Sequence, residues 1–98
     1  MRGLARSLVL EEGIVTTIAK AKELRPFVER LVTQAKKNTV ASQRTVSSRL
    51  GGAPDAVKKL HDTLAPRYAD RNGGYTRVIR MGQIGKQHTE SARIEFVQ

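Results

Sequence analysis

The stretch Arg67-Tyr68-Ala69-Asp70-Arg71-Asn72-Gly73-Gly74-Tyr75-Thr76-Arg77 gathers three arginines and two tyrosines around a pair of glycines. A guanidinium fork matches the oxygens of a phosphate, and a tyrosine ring stacks on an unpaired base. Glycines in a turn take positive φ at little cost and let the backbone approach a ligand closely. The chemistry this suggests is recognition of a phosphodiester chain, with Arg67, Arg71 and Arg77 as phosphate contacts. Asn72, Gly73 and Gly74 would permit close approach. Part of the stretch is structural: Tyr75 opens a strand and is expected in the core, and Asp70 can simply orient an arginine. Arg77 shares its predicted strand face with Tyr75, Ile79 and Met81, which implies partial cover.

A second candidate is Thr16-Thr17-Ile18-Ala19-Lys20-Ala21-Lys22, where hydroxyls, a helix start and two lysines coincide. Unpaired N–H groups and partial positive charge make a helix start a fitting phosphate seat. Alone, the segment reads as a capped helix with two solvated lysines; beside the arginine segment, Lys20 and Lys22 join the predicted phosphate contacts. Lys36 and Lys37, at the far end of the same helix, complete the set.

Catalytic chemistry finds no anchor. Asn72-Gly73-Gly74 lacks the spacing of a dinucleotide fingerprint or a P-loop. His61 falls on a helix between Leu60 and Asp62, where a surface or half-buried role outweighs that of a general base. His88 sits in a predicted loop with Thr89 and Glu90 and suits contact with phosphate or solvent. No paired acid and base has a spacing that demands an active site. The chain has no cysteine, which excludes a disulfide framework and cysteine-ligated zinc or iron–sulfur centres. With only two histidines, no metal or other cofactor is expected. No apolar run is long enough to span a membrane, and no charged-then-apolar leader supports secretion.

Charge agrees with the arginine segment. Across 98 residues, 18 Lys and Arg face 9 Asp and Glu, for a net charge of +9. Two segments are free of acids: between Glu29 and Asp55, with Arg30, Lys36, Lys37, Arg44 and Arg49, and between Asp70 and Glu90, with Arg71, Arg77, Arg80 and Lys86. A polyanion is therefore the first partner to consider.

The elements that must position these groups fit one domain over residues 1–98, with no internal repeat or linker. A short helix from about Arg2 to Glu12 places Leu4, Leu8 and Val9 on one side, with Gly13 as its stop. The β-branched run Ile14-Val15-Thr16-Thr17-Ile18 predicts a strand. Ala21, Leu24, Val28, Leu31, Val32 and Ala35 share one face of a second helix, capped by Thr16 or Thr17 and kinked or divided at Pro26. A short, mostly exposed helix carries Val40, Val46 and Leu50 on one face and breaks at Gly51-Gly52. Pro54 starts a further helix with Val57, Leu60 and Leu64 on one side, and Pro66 ends it. Strands follow at Tyr75 to Met81 and Ala92 to Val97, joined by a polar hairpin loop from Gly82 to Ser91. The order α-β-α-α-α-β-β predicts an α+β, two-layer domain in which helices cover a three-stranded sheet on one face.

Two runs carry a family resemblance. Arg2-x-Leu4-x-x-Ser7-Leu8, continued by Ile14-Val15-Thr16-Thr17 and Ala19-Lys20-Ala21-Lys22-Glu23-Leu24-Arg25-Pro26, resembles the bacterial large-subunit ribosomal protein 17 family. Leu60-His61-Asp62-Thr63-Leu64-Ala65-Pro66-Arg67-Tyr68, continued by Asp70-Arg71-Asn72-Gly73-Gly74-Tyr75-Thr76-Arg77, is similar to the same family more closely still. The resemblance implies a non-catalytic component of the cytoplasmic ribosome that binds 23S ribosomal RNA near the peptide exit tunnel. It implies neighbouring large-subunit proteins as further partners, with neither a membrane nor a small-molecule substrate. The family usually opens with a basic arm of about a dozen residues. Met1-Arg2-Gly3-Leu4 starts past that arm, so the resemblance implies an arm that is missing here. Gly3 stands where the family usually has asparagine, and Gly85-Lys86-Gln87-His88-Thr89 replaces an arginine-rich loop with a Gly-Asp pair. Two other readings compete: a DNA-associated protein using the same basic surface, though no helix-turn-helix, zinc finger or basic zipper is present, and a small nuclease, though no carboxylate cluster suits magnesium.

Overall fold

The computed structural model describes residues 1–83 and 90–98. Its elements are α1 (Arg2–Glu11), β1 (Gly13–Thr17), α2 (Ile18–Lys37), α3 (Val40–Arg49), α4 (Pro54–Lys59), a π-helical turn (Leu60–Leu64), α5 (Ala65–Arg67), β2 (Thr76–Gln83) and β3 (Glu90–Phe96). The last three helical pieces are continuous, so the predicted α-β-α-α-α-β-β order holds. All strand pairs are antiparallel in the order β1-β3-β2, with Ile14 opposite Ile94 and Val78 opposite the same residue. Met81 forms a bulge where the register shifts between Arg80 and Gly82. Helices cover the face bearing Ala92, Ile94 and Phe96, while Val15 and Ile79 lie exposed on the other.

α2 is the organising element because its apolar stripe is complete: Ala21, Leu24, Val28, Leu31, Val32 and Ala35 are all buried. Thr17 caps its start by accepting the Lys20 N–H at 3.3 Å. The helix runs unbroken through Pro26, contrary to the predicted kink or division. Pro26 and Lys22 are both exposed residues, so the carbonyl that loses its donor lies on the solvent side of the helix, and the buried stripe on either side holds the axis. Asn38, at φ 53, then reverses the chain, and Thr39 and Ser42 form a reciprocal capping box that starts α3.

Other expectations are corrected. Glu12, not Gly13, takes the left-handed conformation that ends α1, with φ 63 and its N–H on the Leu8 carbonyl. A Cβ at Gly13 would lie 2.2 Å from the Arg93 guanidinium, the movable end of that side chain. Val40 is 66% exposed, because the capping box turns Ser42 inward instead, alongside Val46 and Leu50. Pro66 does not end the fourth helix. Within the π-helical turn the Ala65 N–H reaches the Leu60 carbonyl, and Pro66, which has no N–H to place, follows inside the helical run, which ends one residue later at Arg67. The strands flanking the hairpin extend to Gln83 and from Glu90, beyond their predicted ends. The centre of that hairpin, with Lys86 and His88, lies outside the described residues.

Candidate nucleic-acid interface

The segment linking α5 to β2 is held from below by α2. Two turns apart on the helix, Glu29 and Lys36 flank the incoming chain. The Glu29 carboxylate accepts the Tyr75 N–H at 3.3 Å, the Thr76 N–H at 2.8 Å and the Thr76 hydroxyl at 2.8 Å. Lys36 Nζ donates to the Arg71 carbonyl and, at 3.1 Å, to the Tyr75 hydroxyl, which itself donates to that carbonyl at 3.1 Å. Gly73 and Gly74, at φ 96 and 67, close the turn between these anchors. Burial pushes the Tyr75 phenol up, but hydrogen bonds from Thr33 and Lys36 outweigh it and leave the group below its ordinary value. Tyr75 is buried as predicted, with its ring 5.1 Å from that of Tyr68. Arg77 is not covered by sharing the face of Tyr75; its side chain is 57% exposed, because Tyr75 precedes β2 and turns into the core.

This turn brings Lys36, Arg71, Asn72, Gly73 and Gly74 together. Arg71 is exposed and donates to the Gly74 carbonyl at 3.3 Å. Lys37 faces solvent at the adjacent end of α2. Lys20 and Lys22 are also exposed, but at the opposite end of the helix; sixteen residues at ~1.5 Å each put Lys20 about 24 Å from Lys36.

Arg67 and Arg77 have internal partners that sequence alone does not reveal. Arg67 donates to Glu12, whose other carboxylate oxygen is 3.2 Å from Lys59 Nζ. The Arg67 hydrogen bond holds the Glu12 carboxyl below its usual range, and with Lys59 it outweighs the opposing effect of burial. The same contact raises the Arg67 guanidinium further. Glu12 makes these contacts from a left-handed backbone, a conformation that costs a non-glycine residue about 1–2 kcal/mol and that so accessible a pair offsets only in part. Arg77 donates to Glu95 at 2.8 Å on the open face of the sheet, and Arg93 reaches the other oxygen at 3.0 Å. Each arginine has five N–H donors, so both retain donors for a second anion.

Two cations outside the predicted set belong beside the turn. Arg30 and Arg49 line a groove of about 270 Å³ between α2 and α3, together with Thr33, Gln34, Thr45 and Gly73. The acid-free run after Glu29 was the signal for them; their convergence on Gly73 required the α2–α3 packing. Among the described residues, no three His, Cys, Asp or Glu side chains gather to hold a metal ion, and no helix is long and apolar enough to cross a membrane.

The profile of the family described as ribosomal protein L17 matches residues 1–97. A protein of Anaplasma marginale (strain Florida) named large ribosomal subunit protein bL17 is 52% identical over 101 residues, covering 99% of this chain and 75% of the relative. The protein of that name from Sphingopyxis alaskensis is 51% identical over 96 residues, covering 98% and 68%. That from Hydrogenobaculum sp. (strain Y04AAS1) is 52% identical over 101 residues, covering 100% and 83%. The matches extend through both the Glu29–Lys36 helix and the turn it anchors, in a family of structural components rather than enzymes. The chain belongs to the ribosomal protein L17 family.

Proposed function

We propose that this chain is a structural component of the large ribosomal subunit that binds 23S ribosomal RNA near the peptide exit tunnel, beside neighbouring large-subunit proteins. The observation that carries the reading is the anchored turn, in which Lys36 and Glu29 fix the backbone around Gly73 and Gly74. A turn ordered before binding loses little further entropy when it meets RNA. Arg71 and Lys37 supply charge beside it, and Arg30 and Arg49 line the groove that reaches Gly73. Lys20 and Lys22 contact a second RNA segment at the far end of α2, so the domain ties two segments together. Arg67 and Arg77 contact phosphate with the donors their carboxylates leave over.

The test is binding to a folded 23S transcript and to random duplex DNA as salt rises. The reading predicts preference for the RNA, with log affinity falling against log salt by about 0.7–0.9 per phosphate contacted. Equal affinity for duplex DNA at physiological salt overturns it and favours a DNA-associated protein.

A further inference from the structure

A groove of about 470 Å³ lies where the C-terminal end of α2, the start of α3 and the π-helical turn meet. Its apolar wall is made of small or flat side chains, Ala35, Ala65, Pro66 and Ala69. Its polar wall carries Asn38 and Gln43, whose amides approach each other at 3.5 Å, together with His61 and Asp62. Two features mark this groove. The His61 Nε2 is buried with no hydrogen-bond partner among the described residues, and an unpaired buried nitrogen is uncommon enough to need a reason. His61 and Asp62 also sit on the only π-helical turn among the described residues, an irregularity frequent at functional sites.

We propose that this groove receives one unstacked nucleobase of the bound RNA, a base with an exocyclic amino group. This rests on the RNA-binding reading above and adds to it a contact that senses the base. The Asp62 carboxylate makes the groove a poor seat for a phosphate but an apt acceptor for an amino group. Amides such as Asn38 and Gln43 pair with base edges, and small side chains beside a proline ring leave a slot for the flat base. Lys36 lies at the rim, joining the groove to the anchored turn. The base therefore enters the groove while its flanking phosphates stay outside, by Lys37 and Arg71.

Two measurements on the intact chain test this. In the first, the ¹⁵N-labelled chain is titrated with each of the four nucleoside 5′-monophosphates and, separately, with inorganic phosphate. Backbone amides of Asn38, Gln43, His61 and Ala69 should shift with adenosine, cytidine and guanosine nucleotides, weakly with uridine, and not with phosphate. Identical shifts with phosphate, or none with any nucleotide, overturn the proposal. The second compares 23S transcript binding by Asp62→Asn, Ala69→Leu and the unaltered chain, with thermal melting to verify folding. If Asp62 contacted no base, removing its charge would tighten binding to a polyanion. Asn keeps a neutral acceptor oxygen, so the proposal requires Asp62→Asn to weaken binding by the charge-assisted part of the contact, roughly 5-fold, with the salt slope unchanged. Ala69→Leu, which fills the slot, should do the same, and Asp62→Asn alone decides if that variant fails to fold. Tighter binding by Asp62→Asn refutes the groove contact and leaves the RNA-binding reading intact. Absence of transcript binding by the unaltered chain overturns that reading, and this proposal with it.

Discussion

Replacing Glu29 with alanine tests whether the turn is anchored as described. Its carboxylate accepts three hydrogen bonds, from the Tyr75 N–H, the Thr76 N–H and the Thr76 hydroxyl. Tyr75 and Thr76 are only 1% and 2% exposed, so their backbone donors have little access to water once the acceptor is gone. A hydrogen bond to a charged acceptor contributes about 1.5–3 kcal/mol, and an abandoned buried donor costs about 1–3 kcal/mol. The three bonds share one carboxylate at a part-buried site and are not additive. We therefore expect a loss of about 2–4 kcal/mol, below the simple sum. For a domain of this size, each kcal/mol lowers the melting temperature by about 4–8 °C. Glu29→Gln keeps one acceptor oxygen and should lose about half as much. Urea unfolding followed by circular dichroism reads the stability, and transcript binding gives a second readout of opposite expectation. Removing an acid from a chain of net charge +9 should tighten RNA binding by charge alone, whereas release of the turn should weaken it. A stability loss under about 0.5 kcal/mol, the range of ordinary surface substitutions, together with tighter RNA binding, would refute the anchoring role.

Other expectations concern the ion pairs, the core and the exposed turn. The Glu12 carboxyl titrates below its ordinary value in the folded chain, so its contribution to stability is present above the unfolded value near 4.5 and is lost as pH falls through the folded value. Acid titration of Glu12→Gln should accordingly show a shallower stability loss below about pH 4.5, with the difference at neutral pH under about 1 kcal/mol for so accessible a pair. Leu60→Ala empties a fully buried site beneath the π-helical turn and should cost about 2–5 kcal/mol by denaturant unfolding. Arg71→Ala should reduce the salt slope of RNA binding by about one contact and leave melting unchanged. An unaltered slope would make that guanidinium merely a brace for Gly74.

The helical periodicity of α2 was legible because all its contacts obey one rule, three- and four-residue spacing against a single core. β3 was legible for the same reason, with Ala92, Ile94 and Phe96 alternating inward. Where local preference competed with tertiary demands, the sequence misled. Glycine is the default residue for a left-handed helix end, yet Glu12 takes that place, and there Arg67 and Lys59 meet its carboxylate. The π-helical turn left no trace, since one altered hydrogen bond scarcely changes the apolar spacing of Leu60 and Leu64. At the candidate interface the acid-free runs and the glycine turn stood out in the sequence. The partners of its cations did not: Lys36 and Tyr75 are 39 residues apart, and Arg67 and Glu12 are 55. Only the packing of α2 against β2 and the approach of Arg67 to Glu12 at the α1–β1 junction show which cations have internal partners and which face outward.

The most direct test of the ribosomal role is sedimentation of the tagged chain from a lysate of its own source, at rising salt, with and without ribonuclease. The account predicts co-migration with the large subunit that persists at high salt and disappears after ribonuclease. A chain that remains at the top of the gradient under every condition, or co-migrates equally well after the RNA is digested, would contradict it.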